Sequence, residues 1–396
     1  MRSIHLPVWL GTIGPRRART FASLFALMTT CRALLITVVP LSANNLLGSV
    51  ENVSLFYFGV SLAGLCGSLA APRFVHFFAR RWVFTAGTVM MAASAGLMAT
   101  QTVSGLIVGM ALHVVSITFL DITFNLYLMD HIPREQMGQF EPMRLFYSAG
   151  AWTVGPWLGV FLQAEVAAWV PFSVSATAAA VLLVYFWVLR LGDNPAVLPA
   201  KRPPPNPIRN LPHFFEQPRL RLAWVLALGR AGWWSMFFIY APIFCVEAGI
   251  DDVMSGAIIS IASAAVFIVP LWGWVGRRFG LRKLLIVGYA LSGLATLIIP
   301  LGTDVAWLGA ALLVGAALAT STVDGGGNVP FLRAVHPLER AEMTGVFATY
   351  RDTAQLLPPG IFSLLLRFFP LPSIFLAAGS GMLVLAYFSR FLPKRL

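Results

Sequence analysis

Long apolar segments alternate with short polar ones along the whole chain. Twelve of these segments are long enough to cross the roughly 30 Å hydrocarbon core of a bilayer as helices. They lie at about 20–42, 53–72, 82–101, 104–129, 143–163 and 166–190, and then at about 222–246, 253–275, 282–302, 304–330, 342–367 and 371–391. The pattern predicts an all-α membrane protein with 12 transmembrane helices, numbered below as predicted helices 1 to 12, in two six-helix bundles with pseudo-symmetry.

The longest polar break divides the predicted helices into two sets of six. We expect a cytoplasmic N-terminus over residues 1–19, an N-terminal bundle over 20–190, a cytoplasmic linker over 191–221 and a C-terminal bundle over 222–396. The linker is rich in proline and basic residues between Lys201 and Arg209. Those prolines argue against a regular helix, and the charges favour water as the surroundings.

Composition agrees with this class of protein. Hydrophobic residues make up 58% of the chain and charged residues 11%, and the mean hydropathy is +0.77. A soluble globule of this composition would have nowhere to bury its apolar surface, so a soluble protein is excluded.

The net charge of +12 is concentrated in alternate loops. The opposite loops have Arg367 as their one base and are otherwise acidic, with Glu51, Glu165, Glu247, Asp251, Asp252 and Asp304. By the positive-inside rule, both termini are expected in the cytoplasm, in a multi-pass protein of a bacterial-type inner membrane. The bilayer therefore accounts for the basic residues, and no nucleic-acid partner is expected. We expect a functional monomer.

A carboxylate and an amide stand four residues apart in predicted helix 10, at Asp324 and Asn328. Residues at that spacing share one face of a helix. The same pair occurs about half a chain earlier, as Asp121 and Asn125 in predicted helix 4. Repetition of intramembrane polar residues at this distance indicates a duplicated membrane protein.

Each aspartate is followed by an arginine in the next predicted helix, at a similar depth. These arginines are Arg144 after Asp121 and Arg351 after Asp324. The spacing predicts one ion pair in each bundle. Each pair is either structural, or its carboxylate is a proton-coupling site that gains and loses its partner. The remaining titratable candidates for coupling or gating are His113 and Asp352.

Arg32 and Arg230 are counterparts near the middle of the first helix of each half, and neither has a carboxylate partner nearby in sequence. The guanidinium keeps its charge, and its fork of donors suits a carboxylate or phosphate. These arginines, with Asn125 and Asn328, are therefore candidates for binding an anionic substrate. In the alternative interpretation, they pair with Asp121 or Asp324 across the bundle, or bond to backbone carbonyls near Pro40 and Pro242.

Aromatic residues follow Arg230 at helical spacing. Trp233 and Trp234 are the candidate substrate contacts, and Phe237 and Phe238 continue the stripe. Such a stripe either packs against neighbouring helices or forms an apolar wall beside a cationic floor. The glycines at 325–327, with Pro330, are likewise either small packing residues or a hinge beside Asp324.

Two short segments between helices resemble each other. The later one contains Gly273, Arg277, Arg278, Gly280 and Arg282, and the earlier one begins at Gly67. The later turn is similar to the signature of the major facilitator superfamily, a Gly, an acid four residues on, and then Arg, Gly and a basic pair. Here Arg277 replaces the acid. Predicted helix 5 adds Gly155-Pro156-Trp-Leu-Gly159, which resembles an element typical of that superfamily's efflux antiporters.

The resemblance implies a secondary transporter that works by alternating access, with predicted helices 1, 4, 7 and 10 lining a central cavity. No nucleotide-binding loop, metal-ligand spacing or nucleophile constellation is present in the sequence. We therefore expect no enzyme activity and no cofactor. The leading function is transport of a small organic anion, with protons as the candidate coupling ion. The alternatives are a proton-coupled efflux antiporter for drug-like or lipid-like molecules, and an assembly factor or receptor that transports nothing.

Overall fold

The computed structural model describes residues 15–131, 134–189, 207–336 and 339–393. Over these residues the regular structure is helical. The α-helices, in order, are α1 Pro15–Ala33, α2 Val38–Leu47, α3 Val50–Phe77, α4 Arg80–Ala99, α5 Val103–His131, α6 Arg134–Phe161, α7 Val170–Val188, α8 Pro207–Glu216, α9 Pro218–Glu247, α10 Asp252–Ser263, α11 Val269–Phe279, α12 Leu281–Leu297, α13 Ala306–Asp324, α14 Val329–Ala334, α15 Arg340–Ala348, α16 Tyr350–Leu365 and α17 Pro372–Phe388.

The all-α membrane architecture predicted from the sequence is confirmed. Ten stretches of the described residues are long and apolar enough, by length and composition, to cross a membrane. Three of them combine two successive helices, namely α1 with α2, α10 with α11, and α13 with α14. The two predicted spans that are not among the ten correspond to α6 and to α15 with α16, which contain Arg144 and Arg351.

Unit 1 of the fold comprises Met1–Val38 and Ala63–Pro203. Its core combines aliphatic and aromatic side chains, and the rings of Phe84 and Phe186 stack with their centres 4.1 Å apart. Helix α6 packs closely on α1 through glycine: a Cβ atom at Gly155 would lie 2.8 Å from Ala33, and one at Gly159 would collide with the carbonyl oxygen of Leu34. The glycines of the Gly-Pro-x-x-Gly element are therefore needed for this close packing.

Unit 2 comprises Val39–Leu62 and Pro204–Leu396. Helices α12 and α17 approach closely, because a Cβ atom at Gly293 would lie 2.9 Å from the carbonyl oxygen of Gly379. The Ser54 and Tyr240 hydroxyls share a hydrogen bond of 2.8 Å. Arg367 Nε donates to Glu51 Oε1 at 2.9 Å. These last two residues are predicted from sequence to lie on the same, non-cytoplasmic side, and the ion pair is consistent with that prediction.

The linker between the bundles contains a helix, contrary to the sequence interpretation. Helix α8 begins at Pro207, where a first-turn proline loses no hydrogen bond. Its Phe214 is fully buried in an apolar cluster with Phe331 and Met343. Packing of this apolar face therefore outweighs the prolines. Residues 190–206, which include Lys201, lie outside the described residues.

A polar contact ties the same helix to the loop before α15. His213 Nε2 lies 3.3 Å from Glu339 Oε1, and Gln217 Nε2 donates to Glu339 Oε2 at 3.3 Å. These contacts, that of Gln217 first, hold the pKa of Glu339 below its ordinary value. The ionised carboxylate therefore helps to hold α8 against the rest of unit 2.

The two turns that resemble each other in sequence differ in structure. The later one is a tight turn at Gly280, whose φ of 96° only glycine adopts without strain, between α11 with Gly273, Arg277 and Arg278 and α12 with Arg282. The earlier turn is predicted to begin at Gly67, but helix α3 continues through this residue to Phe77. Gly67 is instead buried, and a Cβ atom at this position would lie only 3.1 Å from the side chain of Val115 in α5.

We expect replacement of Phe214 by alanine to destabilise unit 2 by about 3–5 kcal/mol, because it removes a buried ring from the cluster. Thermal unfolding of the purified protein in detergent measures the effect. Phe215→Ala is the matched control, since Phe215 is only partly buried, and it should cost clearly less. Equal losses for the two variants would contradict the anchoring role of Phe214.

Candidate functional site

In unit 1 the intramembrane charges meet between α1 and α5. Arg32 Nη1 lies 3.3 Å from both carboxylate oxygens of Asp121. The two side chains are 27% and 39% exposed, so the pair is only partly shielded. Arg32 stands in the last turn of α1, where the helix dipole favours a positive charge. The chain leaves the helix at residues 34–37 and resumes at Val38 in α2.

In unit 2 the corresponding charges meet between α9 and α13. Arg230 Nε lies 3.7 Å from Asp324 Oδ1, and the side chains are 13% and 24% exposed. Arg230 Nη2 donates to Asn328 Oδ1 at 3.1 Å. Trp234 Nε1 donates to the second carboxylate oxygen, Asp324 Oδ2, at 2.9 Å. The carboxylate therefore has an indole donor on one side and a guanidinium on the other.

A break in predicted helix 10 places Asp324 and Asn328. Helix α13 ends at Asp324, three glycines follow, and α14 begins at Val329. Gly327 has a φ of 49°, which favours glycine, and a Cβ atom at Gly325 would collide with Trp272 of α11. The glycine triplet thus provides close packing, one of the two alternatives that the sequence left open, and it also breaks the helix. A role as a hinge stays a prediction. Asn328 occupies the position before α14 and still reaches the same arginine as Asp324.

The salt bridges that the structure shows join each aspartate to an arginine other than the one predicted from the neighbouring helix. Asp121 is bound by Arg32, and the guanidinium of Arg144 lies 4.5 Å from the centre of the Phe25 ring. Asp324 is paired with Arg230, whereas Arg351 Nε donates to the Tyr350 hydroxyl at 3.3 Å. The alternative pairing across each bundle is the one that the structure shows. Similar depth on sequential helices does not decide which side chains face each other.

The remaining candidates are dispersed. His113 is buried on α5, with Nδ1 3.3 Å from the Ser94 hydroxyl of α4. Asn125 is exposed on α5, although its counterpart Asn328 binds Arg230. Asp352 is partly buried on α16. Among the described residues, no group of three or more His, Cys, Asp and Glu side chains is arranged to hold a metal ion.

The aromatic stripe on α9 separates into two stacked pairs. Trp233 and Phe237 are buried, with ring centres 5.1 Å apart, and Trp233 Nε1 donates to Thr296 Oγ1 at 2.8 Å. Trp234 and Phe238 are partly exposed, with ring centres 5.6 Å apart. Trp233 is therefore a packing residue, and Trp234 belongs to the charged site. The sequence signal that places Trp234 near the charged site is its four-residue spacing from Arg230, because residues at that spacing are neighbours on a helix surface.

The family model of the Major Facilitator Superfamily matches this chain over residues 21–359. A comparison with curated proteins found no match.

Solved transporter structures share the fold at low sequence identity. The nucleoside transporter NupG is 12% identical with a TM-score of 0.74, covering 95% of this chain and 98% of that chain. The peptide transporter POT in complex with sulfate is 14% identical with a TM-score of 0.76, covering 96% and 95%. A D-xylose-proton symporter is 13% identical with a TM-score of 0.73, covering 96% and 98%.

A double-mutant cycle distinguishes the observed pairing from the one predicted by sequence. Arg230→Gln and Asp324→Asn each leave a charge without its main partner, which costs about 3 kcal/mol when the pair is buried. The double variant should recover part of that loss, with a coupling energy of about 1–3 kcal/mol in thermal or chemical unfolding.

The control cycle pairs Asp324→Asn with Arg351→Gln. We expect a smaller coupling energy there, since the salt bridge of Asp324 is with Arg230. If the coupling energy between Asp324 and Arg351 were larger than that between Asp324 and Arg230, the pairing predicted between sequential helices would be supported instead.

Proposed function

Since the chain belongs to the Major Facilitator Superfamily, we propose that it is a secondary active transporter that moves a small organic anion by alternating access, with protons as the coupling ion. The substrate class is a carboxylate or a phosphate-bearing molecule. The proposal concerns the charged site of unit 2, formed by Arg230, Asp324, Asn328 and Trp234. A D-xylose-proton symporter of the same fold supports proton coupling by analogy only.

The observation that carries the proposal is how Arg230 is bound. Its hydrogen bond goes to a neutral amide, that of Asn328, and the Tyr350 hydroxyl lies beside it as well. The Asp324 carboxylate lies 3.7 Å from Nε, beyond the length of a charge-assisted hydrogen bond, which is about 2.7–2.9 Å. An incoming carboxylate or phosphate would form such bonds in place of the Asn328 amide. These are roughly twice as strong, so the site favours an anion.

Asp324 links anion binding to proton binding. While it is ionised, it neutralises Arg230 and competes with an anionic ligand. When Asp324 takes up a proton, that competition ends and Arg230 attracts the ligand more strongly. By thermodynamic linkage, the bound anion in turn favours the proton on Asp324. Trp234 holds the second carboxylate oxygen and keeps the side chain in position during this exchange.

The competing proposal of drug efflux rests on Gly155-Pro156 and the aromatic stripe. The glycines of that element have a packing role against α1, and half of the stripe is buried. Neither feature therefore favours a drug-like substrate over an anion. A protein that transports nothing remains an outcome of the experiment below.

The test is ligand binding by purified protein, screened by thermal shift against organic acids, phosphate esters and lipophilic cations, followed by counterflow in proteoliposomes. Acids or phosphate esters should stabilise the protein by mass action. Arg230→Lys should then weaken binding of the best acid by about ten- to a hundredfold, because the fork is lost. Asp324→Asn should remove the dependence of that affinity on pH.

Arg390→Lys is the matched control, since this exposed arginine lies at the end of the chain beside Tyr387. It should bind as the wild type does. Stabilisation by lipophilic cations alone would favour drug efflux. A protein that no compound of the panel stabilises, and that shows no counterflow, would favour a receptor or assembly factor. Affinity for the acid that is unchanged in Arg230→Lys would overturn the anion site.

We further propose a bacterial-type inner membrane with both termini in the cytoplasm. Alternation of basic and acidic loops supports this topology, and so does the pairing of Arg367 with Glu51. Alkaline phosphatase fused after Leu396 should be inactive, because it stays in the reducing cytoplasm. The same enzyme inserted at Asp304 is the control and should be active. Reversed activities would reverse the orientation.

A further inference from the structure

One face of α9 presents a charge and two rings in a row. Arg230, Trp234 and Phe238 follow one another at four-residue steps, each about 6 Å along the helix axis. All three side chains are partly exposed. The other two aromatics of the stripe, Trp233 and Phe237, are buried on a different face. The row 230, 234 and 238, called here the α9 ladder, is therefore distinct from the packing face.

The α9 ladder presents apolar ring surface above a cation. The Trp234 and Phe238 rings stack at an interplanar angle of 25° with centres 5.6 Å apart. The single donor of Trp234, its indole N–H, is already bound to Asp324. What Trp234 and Phe238 offer to a ligand is therefore aromatic carbon, while the hydrogen-bonding capacity of the ladder lies at Arg230.

This face is not one that a lipid tail would cover. Arg230 and Asp324 lie on it, and a charged side chain that faces hydrocarbon is energetically costly. A ligand that is apolar at one end and anionic at the other matches the ladder along its length. Flat rings fit best, because offset or edge-to-face contact between aromatic rings adds to the gain from burial.

We infer that the substrate of this transporter is an aryl acid, an anion whose carboxylate or phosphate binds Arg230 and whose flat ring packs on Trp234 and Phe238. This inference rests on the proposed function and adds the chemistry of the apolar end. A linker of a few carbons between acid and ring spans the one helical turn, about 6 Å, that separates successive members of the ladder.

The first experiment compares three acids on wild-type protein. Phenylbutyrate has a flat ring, cyclohexylbutyrate has a puckered ring with the same number of carbons, and decanoate is an open chain of that carbon number. Binding is measured by thermal shift and by microscale thermophoresis in detergent. We expect phenylbutyrate to bind about two- to tenfold more tightly than cyclohexylbutyrate, with decanoate no tighter than cyclohexylbutyrate. Equal affinity for all three would overturn the inference.

The second experiment locates the ring. Phe238→Leu keeps apolar volume and removes the flat surface, so it should abolish the preference for phenylbutyrate over cyclohexylbutyrate. The matched control is Phe237→Leu, the same substitution one residue away at a buried ring, which should retain the preference. If Phe238→Leu does not fold, Phe238→Met answers the same question, and the wild-type comparison stands on its own. Preference that persists in the Phe238 variants would also overturn the inference.

Phenylbutanol and Arg230→Lys separate this inference from the function on which it rests. Phenylbutanol is neutral, and it should bind much more weakly than phenylbutyrate. If all three acids bind equally and Arg230→Lys weakens all of them, the anion site stands and only the aryl assignment fails. If phenylbutanol binds as tightly as phenylbutyrate and Arg230→Lys changes nothing, the proposed anion transport fails as well.

Discussion

An arginine inside a membrane cannot lose its charge, and this constraint organises both units of the chain. Insertion of such a residue costs several kcal/mol unless a partner is near. Arg32 finds its partner on α5 and Arg230 on α13. Each pair therefore ties the first helix of a half to its fourth. Breaking either ion pair would leave a charge inside the membrane without its partner, at a large cost in free energy. The pairs therefore also constrain which face of each helix turns inward.

Each of these ion pairs lies beside a break in a helix. The break after Arg32 interrupts predicted helix 1, and the glycine break after Asp324 interrupts predicted helix 10. Backbone groups that a break leaves without helical partners are tolerated at membrane depth only inside protein or beside water. The break thus lies on the arginine's helix in unit 1 and on the aspartate's helix in unit 2. In unit 1, both carboxylate oxygens of Asp121 lie near one guanidinium nitrogen of Arg32. In unit 2, one carboxylate oxygen of Asp324 lies near the guanidinium of Arg230 and the other accepts from the indole of Trp234.

That difference is what makes unit 2 the better candidate for ligand binding. Arg230 is close to a carboxylate without being saturated by it, and the α9 ladder extends from it along one helix face. A single segment of chain thus supplies the electrostatic attraction and the apolar contact of the proposed site. Neutral acceptors such as Asn328 hold the guanidinium in position, and an anion would replace them at a net gain.

The sequence by itself determined the class of protein, its all-α membrane architecture and the identity of the charged residues, because hydropathy and spacing are local properties. It also predicted Gly280 as a turn and Gly325–Gly327 as a weak point in a helix, since glycine has a local backbone preference. Only the tertiary structure decided that Asp121 pairs with Arg32, that Trp233 is buried while Trp234 binds Asp324, and that the proline-rich linker contains α8. In each case the outcome depends on how a helix is rotated about its axis and what packs against it, and residues far apart in sequence determine both.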